Sequence, residues 1–175
     1  MSIYLAIDIA IGLYSGLLAA TAYFTRPSQR RFLGALAGGV AVAVTGVGIE
    51  SLFHELGFWR YPSVEEPYGP VTLYPLVVIV FTMLALIGWR IIRRFGWRGW
   101  VAFVATLSTL GVIRDFLVAD QVLGIIVLAP GIATILVDAA IWITTVALAQ
   151  AVMRVMAGPS VADHLGRRPW SPREA

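Results

Sequence analysis

Five long apolar segments constrain this chain more than any other feature of its sequence. About 20 apolar residues suffice for one helix to cross the hydrocarbon of a bilayer. The segments run over residues 3–24, 32–53, 73–92, 99–118 and 132–154. The chain is 59% hydrophobic and only 13% charged, whereas soluble domains carry about 25% charged residues. We therefore predict an all-α integral membrane protein, with about five transmembrane helices forming a bundle over residues 1–157 and a polar cytoplasmic tail over 158–175.

The arginines predict the orientation of this bundle. Most of them lie in the loop after the first segment, in the loop after the third and in the tail. By the positive-inside rule these regions are cytoplasmic, so the N-terminus lies outside and the C-terminus inside. The loop 54–72 is then external, and its prolines and aromatic residues predict an ordered cap. We expect a multi-pass protein of the bacterial plasma membrane, whose stretch 122–130 lies in or re-enters the outer face.

The residue types that are missing exclude several functions. The chain has no cysteine and no lysine, which removes disulfides, thiol nucleophiles, thiolate metal sites and lysine Schiff bases. It also lacks a P-loop, a GxSxG motif and an HExxH motif. Because the basic residues mark loops, we expect no nucleic-acid partner. Neither a metal nor a cofactor is predicted.

Ionisable residues inside the predicted spans give the strongest indication of function. Such groups cost about 2.5–3.5 kcal/mol each at the centre of a membrane helix, so they face a bundle interior or a wet cavity. Counted from the span ends, all of them fall in the outer third of the bundle, where they come from four different helices. These residues are Asp8, Glu50, Arg114, Asp115 and Asp138. His54 stands one helical turn beyond Glu50, at the rim of the same level.

Two interpretations of this cluster are open. In the first, Arg114 pairs with Asp8 or Asp138, and the ion pair holds helices together. In the second, the excess of carboxylates over fixed cations recruits a proton or a positive ligand, as acid–base chemistry requires. Trp142 lies one turn from Asp138 and would place an aromatic wall beside the acid, which suits a cationic or carbocation-like ligand.

The second interpretation assigns a role to each candidate residue. The proton-handling groups are Glu50, Asp115 and Asp138. The residues expected to bind the ligand or to set its charge environment are Asp8, His54, Arg114, Trp142, Trp59 and Tyr74.

Three of these features resemble known membrane enzymes in topology and residue type. They are a carboxylate in the second span (Glu50), a following histidine and aromatic loop, and an acid in the fourth span (Asp115). The same arrangement resembles the emopamil-binding sterol isomerases and the integral membrane terpene cyclases, with no contiguous motif shared. Those families use intramembrane carboxylates to protonate isoprenoids, so the resemblance implies an isoprenoid or other lipid-soluble ligand.

The leading hypothesis is a membrane-embedded pocket, open toward the outer leaflet, that binds or transforms a small lipophilic molecule by acid–base chemistry. If the chain is an enzyme, it is a cofactor-independent isomerase or cyclase. The competing hypothesis is a non-catalytic subunit or scaffold, acting with partner membrane subunits or as a homo-oligomer. A third is a proton- or cation-coupled carrier, although no internal repeat supports it.

Overall fold

The computed structural model describes residues 3–62, 67 and 69–159, and the predicted tail from residue 160 onward lies outside the described residues. Its elements follow the chain in this order: α1 (Ile3–Thr25), α2 (Gln29–Glu55), β1 (Trp59–Arg60), α3 (Leu73–Ile113), a π-helical segment (Arg114–Val122), β2 (Val127–Leu128) and α4 (Ile132–Ala157).

Four α-helices in the described residues are long and apolar enough to cross a membrane, as expected of a multi-pass membrane protein. Large apolar side chains on their outer faces are exposed, among them Leu13, Val44 and Leu136. Extended apolar surface of this kind is typical of faces that contact lipid. The prediction of a helical membrane protein is confirmed at this level.

Helix α3 is not straight. Gly96 has φ 66° and ψ −154°, a conformation that glycine adopts and that strains any other residue. A Cβ atom at Gly88 would lie 3.0 Å from the ring of Trp100, although residues this far apart in a straight helix are separated by about 18 Å. Helix α3 therefore folds back on itself at Gly96. Its first limb, residues 73–95, contains the predicted third segment, and its second limb, residues 97–113, contains most of the predicted fourth.

Helix α2 packs closely against both α3 and α4 through its glycines. A Cβ atom at Gly38 would lie 2.5 Å from the carbonyl oxygen of Ala149 in α4, and one at Gly39 would lie 2.5 Å from the carbonyl oxygen of Val78 in α3. Backbones approach this closely only where side chains are absent. Gly38 and Gly39 therefore allow α2 to pack at the centre of the bundle.

A buried arginine joins the N-terminal end of α2 to the C-terminal end of α4. The guanidinium group of Arg31, which is 1% exposed, donates from Nη1 to the carbonyl oxygen of Gly158 at 2.8 Å. Its Nη2 donates to the carbonyl oxygen of Ala157 at 3.3 Å. The last carbonyl groups of a helix lack helical partners and carry partial negative charge, so they accept a cation well.

Two short strands close the end of the bundle that contains the predicted outer loop. Trp59 and Arg60 of β1 pair antiparallel with Leu128 and Val127 of β2. We call residues 57–62 and 123–131 together the cap. Residues 63–66 and 68 of the predicted loop lie outside the described part of the chain. Strand pairing therefore joins the loop after α2 to the segment that precedes α4.

The π-helical segment connects the second limb of α3 to the cap. Its wider turn is visible at its end, where the backbone N–H of Leu123 donates to the carbonyl oxygen of Val118 at 2.8 Å. π-helical turns are rare and occur frequently at functional sites. The sequence predicts ordinary helix up to residue 118, and nothing in its apolar periodicity reveals this change.

Candidate acid–base site

A cavity of about 220 Å³ lies between α2, the first limb of α3, the π-helical segment, α4 and the cap. We call it the acidic cavity because three carboxyl groups line it: Glu50 from α2, Asp115 from the π-helical segment and Asp138 from α4. Most of the remaining wall is apolar or aromatic. The fold thus brings together the three predicted proton-handling residues.

Asp115 is held on both of its oxygens. Oδ1 accepts hydrogen bonds from Nε of Arg114 at 2.8 Å and from Nη2 of the same guanidinium. Oδ2 accepts one from the indole Nε1 of Trp142 at 2.8 Å. An ion pair with this many donors fixes the carboxylate in place. Arg114 therefore forms its ion pair with Asp115, its neighbour in the sequence, and not with Asp8 or Asp138 as expected.

Trp142 is positioned by contacts on both of its faces. Its ring stacks on Phe81 with centroids 5.9 Å apart, and the guanidinium carbon of Arg114 lies 5.1 Å from its centroid. Gly111 makes room for the indole, since a Cβ atom there would lie 2.3 Å from it. Trp142 thus forms part of the wall of the acidic cavity and donates a hydrogen bond to Asp115.

Replacing Gly111 by alanine is expected to displace the indole of Trp142 and to break its hydrogen bond to Asp115. Overpacking of this kind costs about 1–3 kcal/mol. Thermal unfolding of the purified protein measures the loss. In a Trp142→Phe background the same Gly111→Ala change should cost much less, because the colliding ring is smaller. Equal losses in the two backgrounds would show that Gly111 does not act through Trp142.

Glu50 is fixed by uncharged donors. Its Oε2 accepts a hydrogen bond from the hydroxyl group of Tyr74 at 2.8 Å and another from the backbone N–H of Gly69 at 2.9 Å. A Cβ atom at residue 69 would lie 3.3 Å from the same oxygen, so glycine allows the backbone to approach. Glu50 is therefore an oriented carboxylate on the wall that α2 contributes to the acidic cavity.

Asp138 is the most enclosed acid of the three. The residue is 7% exposed, and its Oδ2 atom is buried with no hydrogen-bond partner among the described residues. Its carboxyl group interacts electrostatically with Asp115 and with Arg114, and a side-chain hydrogen bond links it to Asp115. A buried polar atom without a partner costs about 1–3 kcal/mol, so its retention calls for an explanation.

The cap forms the roof of the acidic cavity with Trp59, Tyr61 and Leu128. All three are buried, and Trp59 lies against Phe53 with ring centroids 5.3 Å apart. Burial, followed by the nearby Glu50 carboxylate, raises the pKa of the Tyr61 hydroxyl well above its usual value. Tyr61 therefore keeps its proton and remains an uncharged donor at the roof.

Two of the predicted site residues lie elsewhere. Asp8 is exposed on α1 and lines no part of the cavity, because the helix turns its neighbour Ile7 inward instead. His54 is half-buried near the end of α2 and is also absent from the cavity wall. The other predicted residues, Arg114, Trp142, Trp59 and Tyr74, all line it.

Residues that sequence reasoning missed complete the wall. Tyr14 of α1, Phe81 of α3 and Tyr61 of the cap are the main ones. Tyr14 is an aromatic residue with a hydroxyl group in the middle of an apolar span, which is a weak signal that was available. Phe81 is one of many apolar residues in its span, so its position had no signal of its own.

The described residues contain no group of three or more histidine and acidic side chains that could hold a metal ion. Comparison of the chain with protein-family models, with curated proteins and with solved structures finds no match. The function must therefore be argued from the chemistry of the acidic cavity itself.

Proposed function

We propose that this protein binds a small lipophilic, isoprenoid-type molecule in the acidic cavity and isomerises or cyclises it by acid–base chemistry. The observation that carries the proposal is Asp138, a buried acid with an unpartnered oxygen beside a second carboxyl group. Sites in which two carboxyl groups occupy different environments are typical of paired acid and base. Asp115 is held by Arg114 and Trp142, while Asp138 is left open to a ligand.

In this proposal Asp138 is the general acid. Its carboxyl proton passes to one carbon of a substrate double bond, and the electron pair of that bond forms the new C–H bond. The neighbouring carbon becomes cationic. Loss of a proton from an adjacent carbon to a carboxylate then forms a new double bond. One proton enters and one leaves, so the step needs no cofactor.

Glu50 is the proposed acceptor of the departing proton. The groups that hydrogen-bond to it, the hydroxyls of Tyr74 and Tyr61 and the backbone N–H of Gly69, are uncharged, whereas Asp115 is occupied by a guanidinium group. The positive charge that develops on the substrate would lie among carboxylates and the rings of Phe81 and Trp142, and aromatic faces attract cations. Preorganised charges of this kind act where they oppose charge that develops in the transition state.

Exchange of hydrogen with solvent tests the proposal without knowledge of the natural substrate. The purified protein in lipid nanodiscs is incubated in heavy water with farnesol and with a prenyl hydrocarbon, and deuterium in the recovered lipid is measured by mass spectrometry. Wild-type protein should introduce deuterium at carbon, and Asp138→Asn and Glu50→Gln should reduce the rate by roughly 10²–10⁴-fold.

A variant outside the cavity, Asp8→Asn, is the matched control and should exchange at the wild-type rate. Exchange that is equally fast in the Asp138→Asn variant would overturn the acid–base role. No exchange by the wild-type protein would favour the non-catalytic subunit as the function.

We further propose that the two limbs of α3 cross the membrane separately, which gives five crossings with the N-terminus outside. The bend at Gly96 then lies in the cytoplasm, and the cap with the acidic cavity lies toward the outer leaflet. Arginines near the bend, such as Arg94 and Arg98, and the clamp formed by Arg31 at the same end of the bundle support this orientation.

Cysteine labelling tests this topology cleanly because the native chain has no cysteine. A cysteine at Arg60 should react with a membrane-impermeant maleimide only from outside, and one at Arg94 only from inside. If α3 crossed as one straight helix, residue 94 would lie near the middle of the bilayer and would react from neither side. Labelling of both positions from the same side would reverse the proposal.

A further inference from the structure

A second cavity of about 300 Å³ adjoins the acidic cavity. It lies between α1, the first limb of α3, the π-helical segment and the cap. The two cavities share part of their walls, including Tyr14, Tyr61, Arg114 and Asp115. The lining is therefore continuous from the carboxyl groups to α1.

Polar groups in this second cavity are confined to the shared boundary. The residues that line it alone are apolar or small, and they include Ala6, Ile7 and Ala10 of α1 and Val118, Ala119 and Leu123 on the opposite side. We call it the apolar cavity. Val118 and Leu123 are more than two-fifths exposed, so this cavity reaches the surface that faces lipid. Segregation of this kind matches a ligand with a polar head and a hydrocarbon tail.

The charge of the acidic cavity selects the head of such a ligand. Three carboxyl groups and one guanidinium line it, and that guanidinium is already paired with Asp115. An anionic head such as a phosphate would meet further negative charge among largely apolar walls. The unpartnered Oδ2 of Asp138 calls instead for a hydrogen-bond donor.

The sizes of the two cavities set the scale of the ligand. A cavity of about 150 Å³ accommodates benzene, with its six carbon atoms. By the same ratio the apolar cavity holds about twelve carbon atoms and the acidic cavity about nine. A single chain of two to four isoprene units fits this space, whereas a phospholipid with two acyl chains does not.

We infer that the ligand is a single-chain amphiphile whose non-anionic, hydrogen-bond-donating head lies at Asp138, while its hydrocarbon tail occupies the apolar cavity. This inference rests on the proposed function and names its substrate class. The head enters first, from the bilayer between α1 and the π-helical segment, where Ala6 and Ala10 leave the passage wide. It then passes Tyr14 and Tyr61 to reach the carboxyl groups, and the tail follows into the apolar cavity.

Binding of prenyl alcohols of different length tests the role of the apolar cavity. Equilibrium binding of tritiated geraniol and farnesol is measured on purified protein in lipid nanodiscs, with empty nanodiscs subtracted. With the free concentration of each alcohol in water as the reference, wild-type protein should bind farnesol at least tenfold more tightly than geraniol, because removal of only two additional CH₂ groups from water accounts for about tenfold. Farnesyl phosphate should bind at least tenfold more weakly than farnesol.

Filling the apolar cavity should remove the dependence on tail length. Ala10→Phe introduces a ring from α1, and Ala119→Phe introduces one from the opposite wall, so a folding failure in one variant leaves the other. Both should bind geraniol as the wild type does and should lose the additional affinity for farnesol. Ala20→Phe, an exposed position on α1 that lines neither cavity, should retain it.

The outcomes separate this inference from the proposed function. If no prenyl alcohol binds to the wild type, the proposed function fails and the inference falls with it. If prenyl alcohols bind but both filled variants keep the wild-type preference for farnesol, the tail lies elsewhere and only the inference is overturned. Farnesyl phosphate binding as tightly as farnesol would overturn the assignment of the head.

Discussion

Valine in place of Gly38 is expected to destabilise the protein by about 3 kcal/mol or more, enough to deplete the folded form in mild detergent. The Cβ atom would lie 2.5 Å from the carbonyl oxygen of Ala149 and 3.1 Å from its Cα atom. Because these are backbone atoms of α4, no side-chain rotation relieves the collision and the two helices must separate. Thermal unfolding followed by size-exclusion chromatography measures the effect.

Gly48 provides a matched control in the same helix. A Cβ atom there meets nothing within 4 Å, so Gly48→Val should leave the midpoint unchanged or raise it slightly through helix propensity. Gly34→Ala should have an unfolding midpoint between those of the other two variants, since a Cβ atom there would lie 3.2 Å from the carbonyl oxygen of Met153. Equal midpoints for the Gly38 and Gly48 variants would contradict the close approach of α2 to α4.

Much of this fold can be predicted from the sequence because each apolar segment has the length of a bilayer crossing. The predicted last span begins at residue 132, where α4 begins, and Pro130 with Gly131 explains the boundary. The reversal at Gly96 falls between the predicted third and fourth spans. These features depend on local residue types, which a single sequence displays directly.

The site was predicted less completely because a sequence gives the depth of a residue better than its direction. Successive residues of a helix point about 100° apart, and α1 is apolar on every side, so no stripe shows which face is inside. Asp8 has the right depth but points outward, while Ile7 points inward. On α4, by contrast, Asp138 and Trp142 share a face, and both reach the cavity.

Pairings across helices could not be predicted at all. The hydrogen bond from Trp142 to Asp115 depends on the register between α4 and the π-helical segment, and on the space that Gly111 leaves. The ion pair between Arg114 and Asp115 is equally unexpected, since adjacent residues of a helix diverge. The first of these pairings arises from tertiary packing, which overrides the spacing that a sequence displays, whereas the second is a local contact within the π-helical segment.

The two neighbouring acids should respond to substitution with opposite signs. Asp138→Leu removes a buried carboxyl group with an unpartnered oxygen, and an apolar side chain of similar size should raise the free energy of unfolding by about 1–3 kcal/mol. Asp115→Leu should lower it by a similar amount, because the indole N–H of Trp142 and the guanidinium of Arg114 lose their acceptor. Thermal midpoints of the two variants, measured in the same detergent, give the comparison.

Activity should not follow these changes in stability. Asp138→Leu should abolish the exchange of substrate hydrogen with heavy water although the protein is more stable, since the proposed general acid is gone. Active-site residues often lower the stability of the folded protein, so the protein becomes more stable when one of them is replaced. A structural ion-pair role for Asp138 makes the contrary prediction, because breaking a buried pair costs about 3–5 kcal/mol. A lowered unfolding midpoint for Asp138→Leu would therefore assign this acid to the support of the fold, and the proposed chemistry would lose its proton donor.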